Sequence, residues 1–318
     1  MTGINDEHIK ITGCKMKNIL ITGAFKIGDK QKKQIENLGF NVFYLPDERA
    51  AVPFDSDIMD AVICNGLFLY TPIEHFTRLR YIQLTSAGMD RLPVDYIREK
   101  DILVHNAKGV YSIPMAEFCI GGILQLYKNF NFFSENKTDK RWLKNRNLFE
   151  LYGKNACVIG AGSIGNEIAK RLKSFGVKVV GIDLFPGDNC NFECIKPVGQ
   201  MHEILGKSDI VILTLPLSDE TLHFFGQSEF EGMKDHSVLV NISRGKLVDQ
   251  NAMIDALESG RLYGAVLDVF EEEPLETSSP LWNMKNVVLT PHNSFVGENN
   301  NKRLFDLIIK NLTNWSGD

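Results

Sequence analysis

Three residues whose combined chemistry suits carbonyl reduction stand at the ends of late apolar runs in this 318-residue chain. Arg244 lies in Asn241-Ile242-Ser243-Arg244-Gly245, directly after the run 238–241. Glu273 lies in Asp268-Val269-Phe270-Glu271-Glu272-Glu273-Pro274, and His292 in Leu289-Thr290-Pro291-His292-Asn293. Open α/β sheets hold their ligands beyond the carboxyl ends of strands, which is where all three fall. A guanidinium stays charged and grips a carboxylate through two parallel hydrogen bonds. An imidazole exchanges one proton near neutral pH, and a carboxylate bonded to it favours its protonated form. Beside a hydride donor, this set suits reduction of a 2-oxo acid, the histidine protonating the oxygen as hydride reaches the carbon. Taken singly, each residue also has a plainer reading: Arg244 as a surface ion pair, Glu273 as one of several loop acids, His292 as a capped loop histidine. The other six histidines (8, 75, 105, 202, 223 and 236) have no comparable strand-end setting.

A place for the hydride donor is written in Cys157-Val158-Ile159-Gly160-Ala161-Gly162-Ser163-Ile164-Gly165. The stretch reads as a buried strand that turns through glycines into a helix. Gly160 permits the tight turn, Gly162 lets the backbone approach a pyrophosphate, and Gly165 lets helix and strand pack closely. The phosphates would sit on the free N–H groups of the new helix, at Ser163 and Ile164. A second apolar run, 178–182, ends in Asp183, 23 residues after Gly160, near the spacing of an acid that binds ribose hydroxyls. A carboxylate there repels a 2′-phosphate, and Leu184 and Phe185 offer no arginine to offset it. The cofactor expected is therefore NAD rather than NADP. Between the two runs, Ile164, Ile168, Leu172 and Phe175 recur at helical spacing.

The elements that must position these residues alternate along the chain. Strands are expected at 18–21, 42–44, 61–64, 81–84 and 102–104, with a helix over about 29–38, and this alternation argues for a small parallel-sheet domain. A long apolar helical region follows at 112–133. Strands resume at 156–159, 178–182, 210–213, 238–241, 264–267 and 287–289, giving a doubly wound sheet of six or seven strands. A helix covers 253–257, stopped by Gly260, and a closing helix is expected over 301–315. The nucleotide fingerprint opens deep in the chain, so a different domain precedes it. The fold expected is α/β, with a Rossmann domain (111–291) inserted into a flavodoxin-like substrate domain (1–110 and 292–318).

Composition narrows the function classes. The 35 basic and 40 acidic residues give a net charge of −5 without long runs of either sign, so nucleic-acid binding is not expected. Residues 1–16 are polar and mixed in charge, an extension rather than a secretory signal, with Met16 as an alternative start. The longest apolar segment, 115–127, is interrupted by Glu117 and too short to span a bilayer. The six cysteines (14, 64, 119, 157, 190 and 194) form no metal-ligand pattern; Cys190 and Cys194 are the only close pair, and no histidine cluster accompanies them. No metal site is expected, and free thiols in a reducing cytoplasm are the better reading.

Over residues 60–295 the chain resembles the D-isomer-specific 2-hydroxyacid dehydrogenase family. The resemblance is carried by the glycine stretch 158–165, Thr214-Leu215-Pro216-Leu217, the Arg244, Glu273 and His292 segments, 264–270, Ser279-Pro280-Leu281-Trp282, and in the first domain by 84–90 and 115–117. It implies that Arg244 binds and polarises the 2-oxo acid, that His292 is the general acid/base, and that Glu273 tunes it. It further implies cofactor contacts from Thr214, Pro216, Ile242, Ser243, Asp268 and His292, with Asp268 near the nicotinamide carboxamide. Ser86, Ala87 and Gly88 would offer backbone N–H groups to the substrate carboxylate, an anion nest, with Asn65 and Gly66 as further substrate residues. Many members carry small residues after the histidine, whereas here Phe295 follows and would shape the substrate pocket. Glyoxylate, hydroxypyruvate, phosphohydroxypyruvate and pyruvate-like acids are the substrates implied, and a homodimer joined through 112–133 the assembly. Corepressors that resemble the same family keep its fold and trio, so an NAD(H)-sensing binding protein is the alternative; the lack of long tails or a basic recruiting patch argues for the enzyme.

Overall fold

The computed structural model describes residues 16–316. The extension expected at the start of the chain falls on residues 1–15, outside the described residues, as does Cys14. The chain divides into two compact units, one formed by Met1–Ala107 with Asn299–Asp318 and the other by Lys108–Glu298. The second boundary falls after Glu298 rather than at 291/292. The physical reason is local, since residues 292–294 are hydrogen-bonded to Asp268, inside the second unit.

The first unit is a five-stranded parallel sheet. Its strands are β1 (Lys17–Thr22), β2 (Phe40–Leu45), β3 (Ala61–Cys64), β4 (Tyr81–Leu84) and β5 (Leu103–His105), in the order β2-β1-β3-β4-β5. β3 and β4 are buried along their whole length, as strands covered on both faces must be; β3 reads as a short continuous apolar run, and β4 carries one polar residue, Gln83, whose Nε2 donates to the Leu84 carbonyl at 2.9 Å. Helices α1 (Asp29–Asn37) and α2 (Val94–Glu99) connect them.

The second unit opens with α3 (Ser112–Tyr127) and α4 (Phe130–Thr138). The single helical region expected over 112–133 breaks at Asn129, whose φ of +49° is left-handed, a conformation asparagine tolerates better than most residues. α3 lies against the unit's own sheet so closely that a Cβ on Gly122 would stand 2.5 Å from Val266 Cγ1. The remaining strands are β6 (Asn155–Ile159), β7 (Lys178–Asp183), β8 (Cys194–Pro197), β9 (Ile210–Leu213), β10 (Ser237–Asn241), β11 (Leu262–Leu267) and β12 (Val287–Leu289). They form a parallel sheet ordered β12-β11-β10-β9-β6-β7-β8, with the strand order reversing between β6 and β9. β8 is the strand that hydrophobic pattern misses, because it is an edge strand with no buried residue and ends in proline. Helices α5 (Ser163–Ser174), α6 (Met201–Leu205), α7 (Gln227–Gly232) and α8 (Gln250–Glu258) link these strands. In α5, Ile168, Ala169 and Leu172 are buried, while Phe175, expected on that face, falls at the helix end and is exposed.

The closing helix α9 (Asn300–Ser316) belongs to the first unit. It buries Leu304, Phe305, Ile308 and Leu312. Trp315 stacks on Tyr81 at 4.9 Å between ring centroids, and Asn311 Nδ2 donates to Gln83 Oε1 at 2.8 Å. Among the described residues, no helix is long and apolar enough to cross a membrane.

Candidate active site

The glycine turn lies at the reversal point of the second unit's sheet, where β6 leads into α5. Gly160 has φ +100°, and a Cβ there would meet Thr214 Oγ1 at 2.8 Å. A Cβ on Gly165 would stand 2.1 Å from the Gly160 carbonyl oxygen, whereas one on Gly162 meets nothing within 4 Å. The first and last glycines are thus required by the protein's own packing, and Gly162 borders open space. Gly162 caps α5 without a side-chain hydrogen bond, so the helix presents N–H groups and a positive dipole end from Ser163 and Ile164 onward. Thr214 locks the turn from β9, its Oγ1 donating to the Gly160 carbonyl at 2.6 Å. Asp183, at the end of β7, accepts from Ala161 N at 2.8 Å and from Phe185 N at 3.0 Å. A carboxylate held against an open glycine turn and a bare helix N-terminus fits a dinucleotide, so the residues present suit NAD.

The loop after β10 carries Arg244. Ile242 and Ser243 are buried; the Ser243 hydroxyl donates to the Leu215 carbonyl, tying this loop to the one that holds Thr214 and Pro216. Asn241 Nδ2 donates to the Arg244 carbonyl at 3.0 Å, and Arg244 Nη1 to the Ser243 carbonyl at 2.8 Å. A Cβ on Gly245 would stand 1.9 Å from the Phe270 carbonyl carbon. Backbone therefore abuts backbone, and the Arg244 loop lies against the loop that carries Glu273.

Glu273 and His292 form a pair. His292 Nδ1 lies 2.8 Å from Glu273 Oε2, while Glu273 Oε1 accepts from Phe270 N at 3.1 Å. An ionised carboxylate only accepts, so the bond fixes the proton on Nδ1 and leaves Nε2 as the exchanging nitrogen. Nε2 has no hydrogen-bond partner among the described residues. His292 sits at φ +51°, an uncommon conformation that the surroundings must impose.

Asp268 imposes it. The resemblance places this residue beside the nicotinamide carboxamide, yet its fully buried carboxylate is engaged with the histidine loop. Oδ1 accepts from Thr290 Oγ1 and Asn293 N, both at 2.7 Å, and Oδ2 from Ser294 N at 2.8 Å. The Asp268 carbonyl accepts from His292 N at 2.7 Å. The rings of His292 and Phe295 stand nearly perpendicular at 6.2 Å between centroids, and Phe295 meets Tyr111 at 5.9 Å. Burial pushes the Tyr111 phenol up, keeping it neutral. Gly245, Thr290 and Tyr111 escaped sequence reasoning; only the Asn-x-x-x-Gly and Thr-Pro-His contexts hinted at the first two.

The remaining expected residues belong to the first unit. Ser86, Ala87 and Gly88 follow β4, and their carbonyls are engaged: Ser86 O accepts from Ala107 N, Ala87 O from Asn106 Nδ2, and Gly88 O from the Ser86 hydroxyl. Their three N–H groups donate to no acceptor among the described residues. Asn65 and Gly66 follow β3 and differ, because both N–H groups donate to Glu48 at 2.7 Å. Burial pushes the neighbouring Cys64 thiol up, and the Glu48 charge adds to it.

Known proteins share this arrangement of elements. A sequence model of the NAD-binding domain of D-isomer-specific 2-hydroxyacid dehydrogenases matches residues 120–294. The chain is 30% identical over 312 residues to a hydroxypyruvate reductase of Blautia hydrogenotrophica, covering 93% of this chain and 96% of that protein. It is 35% identical over 222 residues to a D-3-phosphoglycerate dehydrogenase of Methanocaldococcus jannaschii, covering 69% of this chain but 42% of that protein. The crystal structure of a D-isomer-specific 2-hydroxyacid dehydrogenase family protein of Aeromonas salmonicida superposes with a TM-score of 0.81 at 25% identity, covering 93% and 94% of the two chains.

Proposed function

The chain belongs to the D-isomer-specific 2-hydroxyacid dehydrogenase family, and from that premise we propose that it interconverts a small 2-oxo acid and its D-2-hydroxy acid with NAD. The observation that carries the proposal is the 2.8 Å pair of His292 Nδ1 and Glu273 Oε2, held on the Asp268 loop beside the loop of Arg244. Gly160, Gly162, Ser163, Ile164 and Gly165 hold the pyrophosphate, Asp183 the adenosine ribose, and Thr214, Pro216, Ile242 and Ser243 line the way to the nicotinamide. NADH, when bound, supplies the hydride for the carbonyl carbon. Arg244 binds and polarises the 2-oxo acid, while the N–H groups of Ser86, Ala87 and Gly88 suit its carboxylate. His292 gives a proton from Nε2 to the substrate oxygen and recovers it in the reverse direction. Glu273 keeps Nδ1 protonated and offsets the imidazolium charge. Asp268 acts through His292, by fixing its loop. Phe295 bounds the space beside the ring.

A panel of 2-oxo acids assayed by NADH absorbance tests this reading; no turnover across glyoxylate, hydroxypyruvate and pyruvate, with NADH bound, would refute it. In the same assay NADH should outperform NADPH. Asp183→Ala should narrow that preference by roughly tenfold, since a carboxylate facing a phosphate costs on the order of 1–2 kcal/mol at a protein surface. An unmoved preference would remove Asp183 from cofactor choice.

We also propose a homodimer. The apolar surface that supports it lies on α4 and the segment behind it, where Phe130, Trp142 and Leu143 are exposed, Trp142 to 96%. α3 itself is largely buried against its own sheet. Trp142→Ala should shift the protein toward a monomer in analytical ultracentrifugation, and an unchanged association state would count against this face. The free thiols of the five described cysteines support a reducing, cytoplasmic setting.

A further inference from the structure

We propose that Glu48 is a specificity residue that fills an anion slot and restricts the substrate to 2-oxo acids whose far end carries no charge. The inference rests on the reaction proposed above and concerns its substrate class. The first unit's sheet, ordered β2-β1-β3-β4-β5, reverses between β1 and β3. Sheets of this order bind ligands at that point, outside the carboxyl ends of the strands. Thr22 ends β1 there, and Asn65 and Gly66 directly follow β3. Two consecutive backbone N–H groups at such a place make a site for an oxyanion.

The chain supplies that oxyanion itself. Glu48, three residues beyond the end of β2, accepts from the Thr22 hydroxyl and Asn65 N through Oε1, both at 2.7 Å, and from Gly66 N through Oε2 at 2.7 Å. Three donors hold a half-buried carboxylate in place, and charge-assisted bonds of this length are the stronger kind.

The next loop along the same edge has the opposite character. β4 pairs with β3 (Cys64 opposite Leu84), and after it Ser86, Ala87 and Gly88 present N–H groups that donate to no acceptor among the described residues. Adjacent strands lie about 4.8 Å apart. A substrate whose carboxylate sits on the β4 loop and whose far end extends toward the β3 loop therefore brings that end up to Glu48. A hydroxymethyl, methyl or hydrogen meets no penalty there. A phosphate, sulfonate or second carboxylate finds both N–H groups taken and a like charge within a few ångströms. Arg91 also borders Gly66, with its Cδ 3.7 Å from where a Cβ would stand, but its side chain is exposed and water screens it more than the half-buried Glu48.

The test compares kcat/KM for hydroxypyruvate, its 3-phosphate ester and 2-oxopentanoate, whose far end is uncharged and which controls for size, in the wild type and in Glu48→Gln. The wild type should favour hydroxypyruvate over the ester by roughly 10²-fold, a ratio set by like-charge repulsion at short range. Glu48→Gln keeps an accepting amide oxygen but loses the charge, and should shrink that ratio at least tenfold while leaving in place the ratio of the two acids whose far ends are uncharged. A wild type that prefers the phosphate ester, or a ratio unmoved by Glu48→Gln, overturns the Glu48 assignment while the dehydrogenase reading stands. Silence toward all three acids removes both. If Glu48→Gln does not fold, the wild-type ratio alone decides.

Discussion

Replacing His292 with glutamine should leave NADH binding intact and lower turnover by roughly 10²–10⁴-fold, the usual worth of a positioned acid/base. The position has a second property that could mimic this result. His292 adopts φ +51°, and glutamine holds a left-handed backbone less readily than asparagine does. A loss caused by a displaced loop would be recovered in His292→Asn, whereas a loss caused by the missing proton carrier would not. Both variants should therefore be equally impaired, with NADH affinity measured directly in each. Near-wild-type turnover in either would refute the assignment. The surroundings favour a clean outcome, because the loop is held by Asp268 through Thr290 Oγ1, Asn293 N and Ser294 N and not by the imidazole.

Arg244→Lys should reduce kcat/KM by about 10²-fold, with KM for the 2-oxo acid raised and kcat lowered. Lysine keeps the charge but not the planar fork, so two parallel bonds to the substrate become one at best. Loss of one charge-assisted hydrogen bond, about 1.5–3 kcal/mol, corresponds to a factor of roughly 10–10²; poorer polarisation of the carbonyl in the transition state adds to it. The backbone is not expected to shift, since Gly245 is wedged against Phe270 and Asn241 Nδ2 holds the Arg244 carbonyl. Unaltered kinetic constants would place Arg244 outside the reaction and return it to the role of a surface ion pair.

Much of the molecule is legible in the sequence because much of it is local. Buried parallel strands such as 61–64, 210–213 and 238–241 are continuous apolar runs, and each is a strand in the structure. The turn at Gly160 and the packing at Gly165 depend on atoms a few residues away and on the strand beside them, so glycine spacing foretells them. Arg244, Glu273 and His292 are readable as candidates because strand ends are readable. Edge strand β8 and the break at Asn129 are not, the first for lack of a buried face and the second because one residue's dihedral leaves no periodic trace.

What the sequence by itself determined is the order of the elements, the dinucleotide turn and the chemical types at the strand ends, all properties set by neighbours in the chain. Only the tertiary structure decided which groups meet. It joined Glu273 to His292 across 19 residues, bound Asp268 to the histidine loop across 22 to 26, and carried the Glu48 carboxylate to the N–H groups of Asn65 and Gly66 across 17 and 18. Those separations are loops brought together by strand order and by backbone contacts such as Gly245 on Phe270. Such contacts are fixed by packing of the whole sheet, and no window of sequence contains both partners with a signal that they touch.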